Sequence, residues 1–455
     1  MKKLLLSAVA AVSLTANDTE LETLKAQMLQ MQQMMQSMQE KINALENGKP
    51  SETLATAPTH KPDVPSALAD NVRQTASNLG LSLILDASYV NRSKKEEAIA
   101  ALGTPGFARS SITESPYNPS NGFNLNYAEM AIHSTVDPYL DADAVLHFSG
   151  AGVEIEEAYF TSRDLPYNLR VRGGKFLSDF GRINNQHHHA WNFSDMPLVY
   201  QSFFGHEKLN EIGAQLQWIA PTDTYLMAGI EVLQGENLGS FGHAAITDPY
   251  NGSTLASSTK EPALTVGYLK TSADIGDTTL LAGASIARGE SRINFTAADP
   301  AFSGKNTVYG LDFTLKHYFD SYSSLSWQSE WLYRNMDGTQ FTDNTAAIVS
   351  ANATKKQAGY YTELVYAPDQ TWRVGARYDS IYQNDVSENG LDQYMPSSME
   401  QVSAMLEYHT SEFARYRLQY THANSLFNTA WERQNLDSIL FSVNLAIGKH
   451  AAHAF

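Results

Sequence analysis

Ile439-Leu440-Phe441-Ser442-Val443-Asn444-Leu445-Ala446-Ile447-Gly448 runs on through His450 and His453 to a final Phe455. Ile439, Phe441, Val443, Leu445 and Ile447 take alternate positions, with Ser442, Asn444, Ala446 and Gly448 between them. A period of two gives a strand two faces. A strand that is apolar on one face, small or polar on the other, and ends on an aromatic has the pattern of the last strand of an outer-membrane β-barrel. It would turn its apolar face to lipid and its polar face to a water-filled lumen. The usual expectation of an apolar interior is then reversed.

The same two-faced pattern extends back through the chain. Tyr416, Leu418 and Tyr420 alternate with Arg415, Arg417 and Gln419, and Trp372, Val374, Ala376 and Tyr378 with Arg373, Arg377 and Asp379. Trp327, Trp331 and Tyr333 alternate with Gln328, Glu330 and Arg334. Strand signals begin at Leu81. They are separated in turn by short turns, such as Asp137-Pro138, Ala220-Pro221-Thr222-Asp223, Ile275-Gly276-Asp277 and Ala367-Pro368-Asp369-Gln370, and by longer or variable stretches such as 149–152, 179–210, 234–262, 288–305 and 337–356. Seven short turns and eight variable stretches join about sixteen strands. Short turns on one side and long loops on the other are what an antiparallel up-and-down outer-membrane barrel shows. A soluble β-sandwich also alternates apolar with polar residues, but would bury Trp and Tyr.

The 455 residues carry 23 Tyr, 19 Phe and 6 Trp, which suits aromatic girdles but would equally suit a soluble β protein. Beyond the N-terminus no apolar run reaches the roughly 18 residues of a membrane helix. The absence of cysteine excludes disulfides and thiolate metal sites. Residues 1–16 read as a signal peptide, with Lys2 and Lys3 before the apolar stretch Leu4 to Leu14 and Ala16 as the cleavage residue. Its removal takes the formal charge from −17 to −19, against nucleic acid as a partner. Within 17–47, Leu21, Leu24, Met28, Met31, Met35, Met38, Ile42 and Leu45 alternate spacings of three and four, an a/d heptad seam that predicts a periplasmic coiled coil. Residues 48–80, with Pro50, Pro58, Pro62 and Pro65 among Thr, Ala and Ser, read as a linker, and 81–455 as the barrel.

With about sixteen strands a barrel is wide enough for water. Strand parity puts Arg170, Arg172, Lys316, Arg334, Arg373, Arg377, Arg415 and Arg417 on the lumen face, with Glu154, Glu156, Glu330 and Glu407. Two readings stand. In one, acids and arginines pair across strands and brace the wall. In the other, Arg373, Arg377, Arg415 and Arg417 form a ladder that draws anions. The loop 179–210 is long and rich in aromatics, which predicts packing over disorder. It is expected to fold inward as the constriction, with Arg182, His187, His188, His189 and Asp195 on it. Imidazoles bind zinc, copper and nickel, so His187 and His189, or His450 and His453, are weak metal candidates. Adjacent histidines share no face, however, and no carboxylate is fixed beside them by spacing. The expectation is therefore a structural or pH-sensitive loop, with no metal and no cofactor. Gly-x-Ser-x-Gly, a P-loop and His-Glu-x-x-His are all missing, and the chain is not expected to be an enzyme.

The segments Glu156-Glu157-Ala158-Tyr159, Arg172-Gly173-Gly174-Lys175-Phe176, Phe180-Gly181-Arg182-Ile183-Asn184 and Asp195-Met196-Pro197-Leu198 resemble a block of Gram-negative porins of the phosphate-selective type, some with an N-terminal coiled coil. The resemblance implies a homotrimeric barrel in outer-membrane lipid that admits small solutes or ions, anionic ones among them. Alternatives it leaves are a metal-linked (zinc) uptake channel, or a structural anchor whose coiled coil meets peptidoglycan. A receptor with an N-terminal plug would need over a hundred residues before the barrel and about 22 strands.

Overall fold

The computed structural model describes residues 79–448 except 109–111, 151, 238, 296–298, 346 and 429. The expectations for the signal peptide, the coiled coil, nearly all of the linker, and His450, His453 and Phe455 fall outside the described residues.

Sixteen strands among the described residues form one closed antiparallel barrel. They are β1 (Gly80–Arg92), β2 (Gly122–Asp137), β3 (Leu140–Ser149), β4 (Gly152–Ser162), β5 (Leu169–Leu177), β6 (Asn210–Ile219), β7 (Tyr225–Leu233), β8 (Leu264–Ile275), β9 (Thr278–Ile293), β10 (Ala301–Tyr318), β11 (Ser324–Asp343), β12 (Ile348–Ala367), β13 (Trp372–Glu388), β14 (Met399–Ser411), β15 (Ala414–Phe427) and β16 (Arg433–Gly448). Each pairs with the next, and β16 returns to β1 from Ser82 opposite Gly448 to Arg92 opposite Ser438. Closure leaves no unpaired edge.

The polarity of the body is inverted. Leu418 is 49% exposed and Ile439 52%, whereas Arg417 is 2% exposed and Glu330 and Glu407 1% each. The outer face carries the apolar member of each alternating pair, such as Val374, Leu406 and Phe441. The expected two-faced strands are therefore present, with the apolar face outward.

Two expected loops are shorter than anticipated. Within 288–305, β9 and β10 pair up to Ile293 opposite Phe302. The stretch 337–356 is mostly strand: β11 and β12 pair from Ser324 opposite Ala367 up to Asp343 opposite Ile348, leaving only 344–347 between them. Thr339, Phe341, Thr342, Ile348 and Val349 are β-formers, and the ladder continues through Gly338 opposite Ala353. Polar residues there read as loop in the sequence, but outside an apolar band a strand needs no greasy face.

The longest inward excursion is 178–209, between β5 and β6. It includes a one-turn 3₁₀ segment His188–Ala190 and the helix α2 (Leu198–Phe204). A shorter helix, α1 (Glu96–Ala100), lies in the β1–β2 connection.

Candidate functional site

The loop 178–209 has its own apolar core. Phe180, Ile183, Trp191, Leu198, Val199, Phe203 and Phe204 are buried in one cluster with Leu264, Val266, Val308, Leu332, Tyr361 and Ile381 from the inner faces of β8 and β10 to β13. Fully burying each such side chain stabilises by about 1.5–3 kcal/mol, so the packed loop is strongly favoured over a loose one. The predicted inward fold is what the chain adopts.

Wall side chains also satisfy several of the loop's polar groups. Arg182 N and Ile183 N donate to the Glu330 carboxylate at 2.7 and 2.8 Å, and Tyr200 Oη donates to it at 2.7 Å. Leu198 N donates to Asp379 at 2.9 Å, Asn192 Nδ2 to Glu363 at 2.6 Å, and Ser194 N to Gln419 Oε1 at 2.7 Å. Lys270 Nζ caps the Gly181 carbonyl at 2.6 Å. Gly181 has φ +62°, and a Cβ there would collide with the Tyr200 hydroxyl and the Glu330 carboxylate, so glycine is required at this close approach. Charge-assisted hydrogen bonds of this kind are shorter and stronger than neutral ones.

The predicted lumen cations divide into four groups. Arg377 binds Asp379 at 2.8 Å and Asp195 at 2.9 Å, and Arg417 binds Glu407 at 2.6 Å and the Trp191 carbonyl at 2.8 Å. Arg334 is buried between Phe107 and Phe203 and donates to Gln357 and to the Gly239 carbonyl. Arg373 and Arg415 flank Glu407 at 3.6 Å each, so three arginines surround one carboxylate. Arg172 lies over Tyr159, Arg170 donates to Gln217, and Lys316 lies over Tyr318. Glu154 stays exposed, 3.9 Å from Lys175.

The loop histidines divide: His187 and His189 stack with ring centroids 5.6 Å apart beside Glu129, and His188 turns elsewhere. His188 lies stacked on Tyr117, with ring centroids 3.9 Å apart, and receives or donates a bond with Tyr127 Oη at 3.1 Å. Burial pushes its pKa down to about 4. His187 turns to β4, with Nδ1 3.0 Å from Glu156 Oε2 and Nε2 2.9 Å from Glu157 Oε2. Burial works against its charge, yet Glu156 and its neighbours hold it well above the usual histidine range. His189 Nδ1 sits 3.3 Å from Glu129 Oε2, and there burial wins and lowers it.

Glu129, His147 and Glu157 were not singled out in the sequence. Glu129 and His147 are direct cross-strand partners on β2 and β3. Between Val145 and Leu146 the β3–β4 register slips, with Glu157 opposite Val145 and Ile155 opposite Leu146. Glu156 is the extra residue. The bulge turns both Glu156 and Glu157 inward, where strict alternation would send one outward. Two adjacent glutamates interrupting Val153-Glu154-Ile155-Glu156-Glu157 were the available signal for it.

No family model matches the chain. An uncharacterized protein of Aquifex aeolicus is 41% identical over 380 residues, covering 82% of this chain and 79% of that protein. The chain belongs to that protein's family. Its fold is similar to solved barrels at low identity. The outer membrane channel DcaP of Acinetobacter baumannii is 10% identical with a TM-score of 0.47, over 81% of this chain and 96% of that one. OprB of Pseudomonas putida is 9% identical with a TM-score of 0.47, over 84% and 96%. An anion-selective porin from Comamonas acidovorans is 10% identical with a TM-score of 0.45, over 81% and 99%. At that distance nothing about solute or assembly passes from them to this family.

Proposed function

We propose that the chain is a Gram-negative outer-membrane channel for passive diffusion of small solutes, narrowed by the loop 178–209. The observation that carries this is the inverted polarity of a closed barrel: a greasy outside, and charged residues facing inward around a packed loop. A closed barrel satisfies every strand backbone group internally, as a bilayer demands. Selectivity in such a pore follows from the groups left beside the loop. A cavity of about 690 Å³ bordered by Phe107, Arg334 and Lys355, and one of about 350 Å³ bordered by Tyr117, His147 and Lys208, support a path along the loop. Arg373, Arg415 and Arg417 around the lone Glu407 support a preference for anions. The heptad seam of 17–47 supports association of chains through a coiled coil, and the porin resemblance supports three of them.

Planar-bilayer recording tests this. The purified, heat-modifiable barrel is expected to give discrete conductance steps, and replacing Arg373 and Arg415 with Gln is expected to shift the reversal potential in a salt gradient toward cations. A correctly folded barrel that conducts nothing would reject the channel in favour of a membrane anchor.

A further inference from the structure

The loop meets the wall at one place where metal-ligating chemistry is concentrated. Glu129 Oε, Glu156 Oε and a ring nitrogen of His187 lie within 4.8 Å of one another, and all three residues are buried. His147 Nε2 is 2.7 Å from Glu156 Oε2 and 3.2 Å from Glu129 Oε2. His189 Nδ1 is 3.3 Å from Glu129 Oε2. We propose that Glu129, Glu156 and His187, completed by the flanking His147 or His189, form a binding site for one divalent transition-metal ion of the zinc class.

The distances fit. A tetrahedral ion with bonds of about 2.0–2.1 Å separates its ligand atoms by roughly 3.3–3.4 Å. The nitrogen-to-oxygen separations run from 2.7 Å for His147 to Glu156 to 3.7 Å for His187 to Glu129, on either side of that value. The donor set also fits: imidazole with carboxylate suits zinc, whereas calcium and magnesium take oxygen. The outer shell is built too. His187 Nε2 lies 2.9 Å from Glu157 Oε2, the carboxylate–histidine relay that holds the opposite nitrogen toward a metal. The bulge that turns Glu156 and Glu157 inward together is what makes this relay possible. The 350 Å³ cavity reaches His147 and Glu156 and gives an ion a way in.

Burial marks the ion as resident rather than as cargo in transit. Its ligands come from β2, β3 and β4 on the wall and from the loop, so it would fasten the loop to that wall. The rival occupant of the same positions is a proton shared between histidine and glutamate.

The test uses full-length barrel stripped with a chelator and dialysed. Zinc titrated against a chromophoric competitor is expected to bind at one equivalent per chain. Glu156→Gln is expected to abolish that binding, and Glu157→Gln to weaken it about 10–100-fold. His422→Ala, at an exposed histidine beside Asp437, should change nothing. If Glu156→Gln fails to fold, anomalous diffraction from zinc-soaked wild-type crystals decides: a peak between His187 and Glu156 supports the site. No saturable binding, binding unaffected by Glu156→Gln, or a peak elsewhere overturns it. Bilayer conductance is a separate readout, so this site can fail while the channel stands.

Discussion

Lys208 shows how single residues tune the loop. It is buried, donates to the Gln186 carbonyl and lies over the Trp191 ring. Burial lowers its pKa to about 8, although Glu156 and Glu157 on β4 and Glu129 on β2 pull the other way. It borders the smaller cavity. Below pH 8 it adds a positive charge there; above pH 8 that charge is lost. Anion permeability relative to cation permeability is therefore expected to fall as pH rises through about 8, and Lys208→Met should remove that step from reversal potentials measured across the range. Which residues sit this close together was hidden in the sequence. Lys208 and Glu156 are far apart along the chain, and only the inward loop joins them. Parity did locate Glu156, Glu330, Arg377 and Arg417 on the inner face. It could not locate Glu157, because a one-residue slip changes the face of everything beyond it.

At the scale of elements, the strands were legible and their ends were not. Period two over β13, β15 and β16 needs only local residues. The extent of β11 and β12 beyond the apolar band depends on a partner strand, and a polar stretch such as 337–343 reads alike as loop or as solvated strand. Twenty residues at about 3.3 Å and a tilt near 40° rise about 50 Å, roughly twice the 25 Å apolar band. The loop's inward fold was legible from its aromatics, but its fastening was not. Glu330 alone accepts from Arg182 N, Ile183 N and the hydroxyls of Tyr200 and Tyr361. Glu330→Ala leaves those donors buried and unpaired, at roughly 1–3 kcal/mol for each left unpaired. The loop of that variant is expected to become cleavable by added protease while the barrel stays heat-modifiable. A resistant loop would show that its apolar core holds it without the carboxylate.

For the molecule as a whole, the reversal of inside and outside sets what substitutions cost. Leu418 faces outward between Arg417 and Gln419, which face in. Leu418→Arg is expected to lower stability in vesicles by about 2–4 kcal/mol if it lies near the bilayer midplane. In a body soluble in water the same change at a half-exposed leucine would be nearly silent. Urea titration of both proteins in lipid measures the difference.

The bonds between the loop and the distant wall also impose an order of assembly. The loop leaves the chain after β5, yet its acceptors Glu330, Glu363, Asp379 and Gln419 are synthesised 147 to 225 positions later. Until those late strands arrive, the amides of Arg182, Ile183, Ser194 and Leu198 lack these acceptors, and the aromatics lack the cover of Leu332, Tyr361 and Ile381. The loop thus cannot act as a mandrel around which the cylinder is wound. It is a bolt thrown last, and a nascent protein caught before that moment would be an empty, open tube.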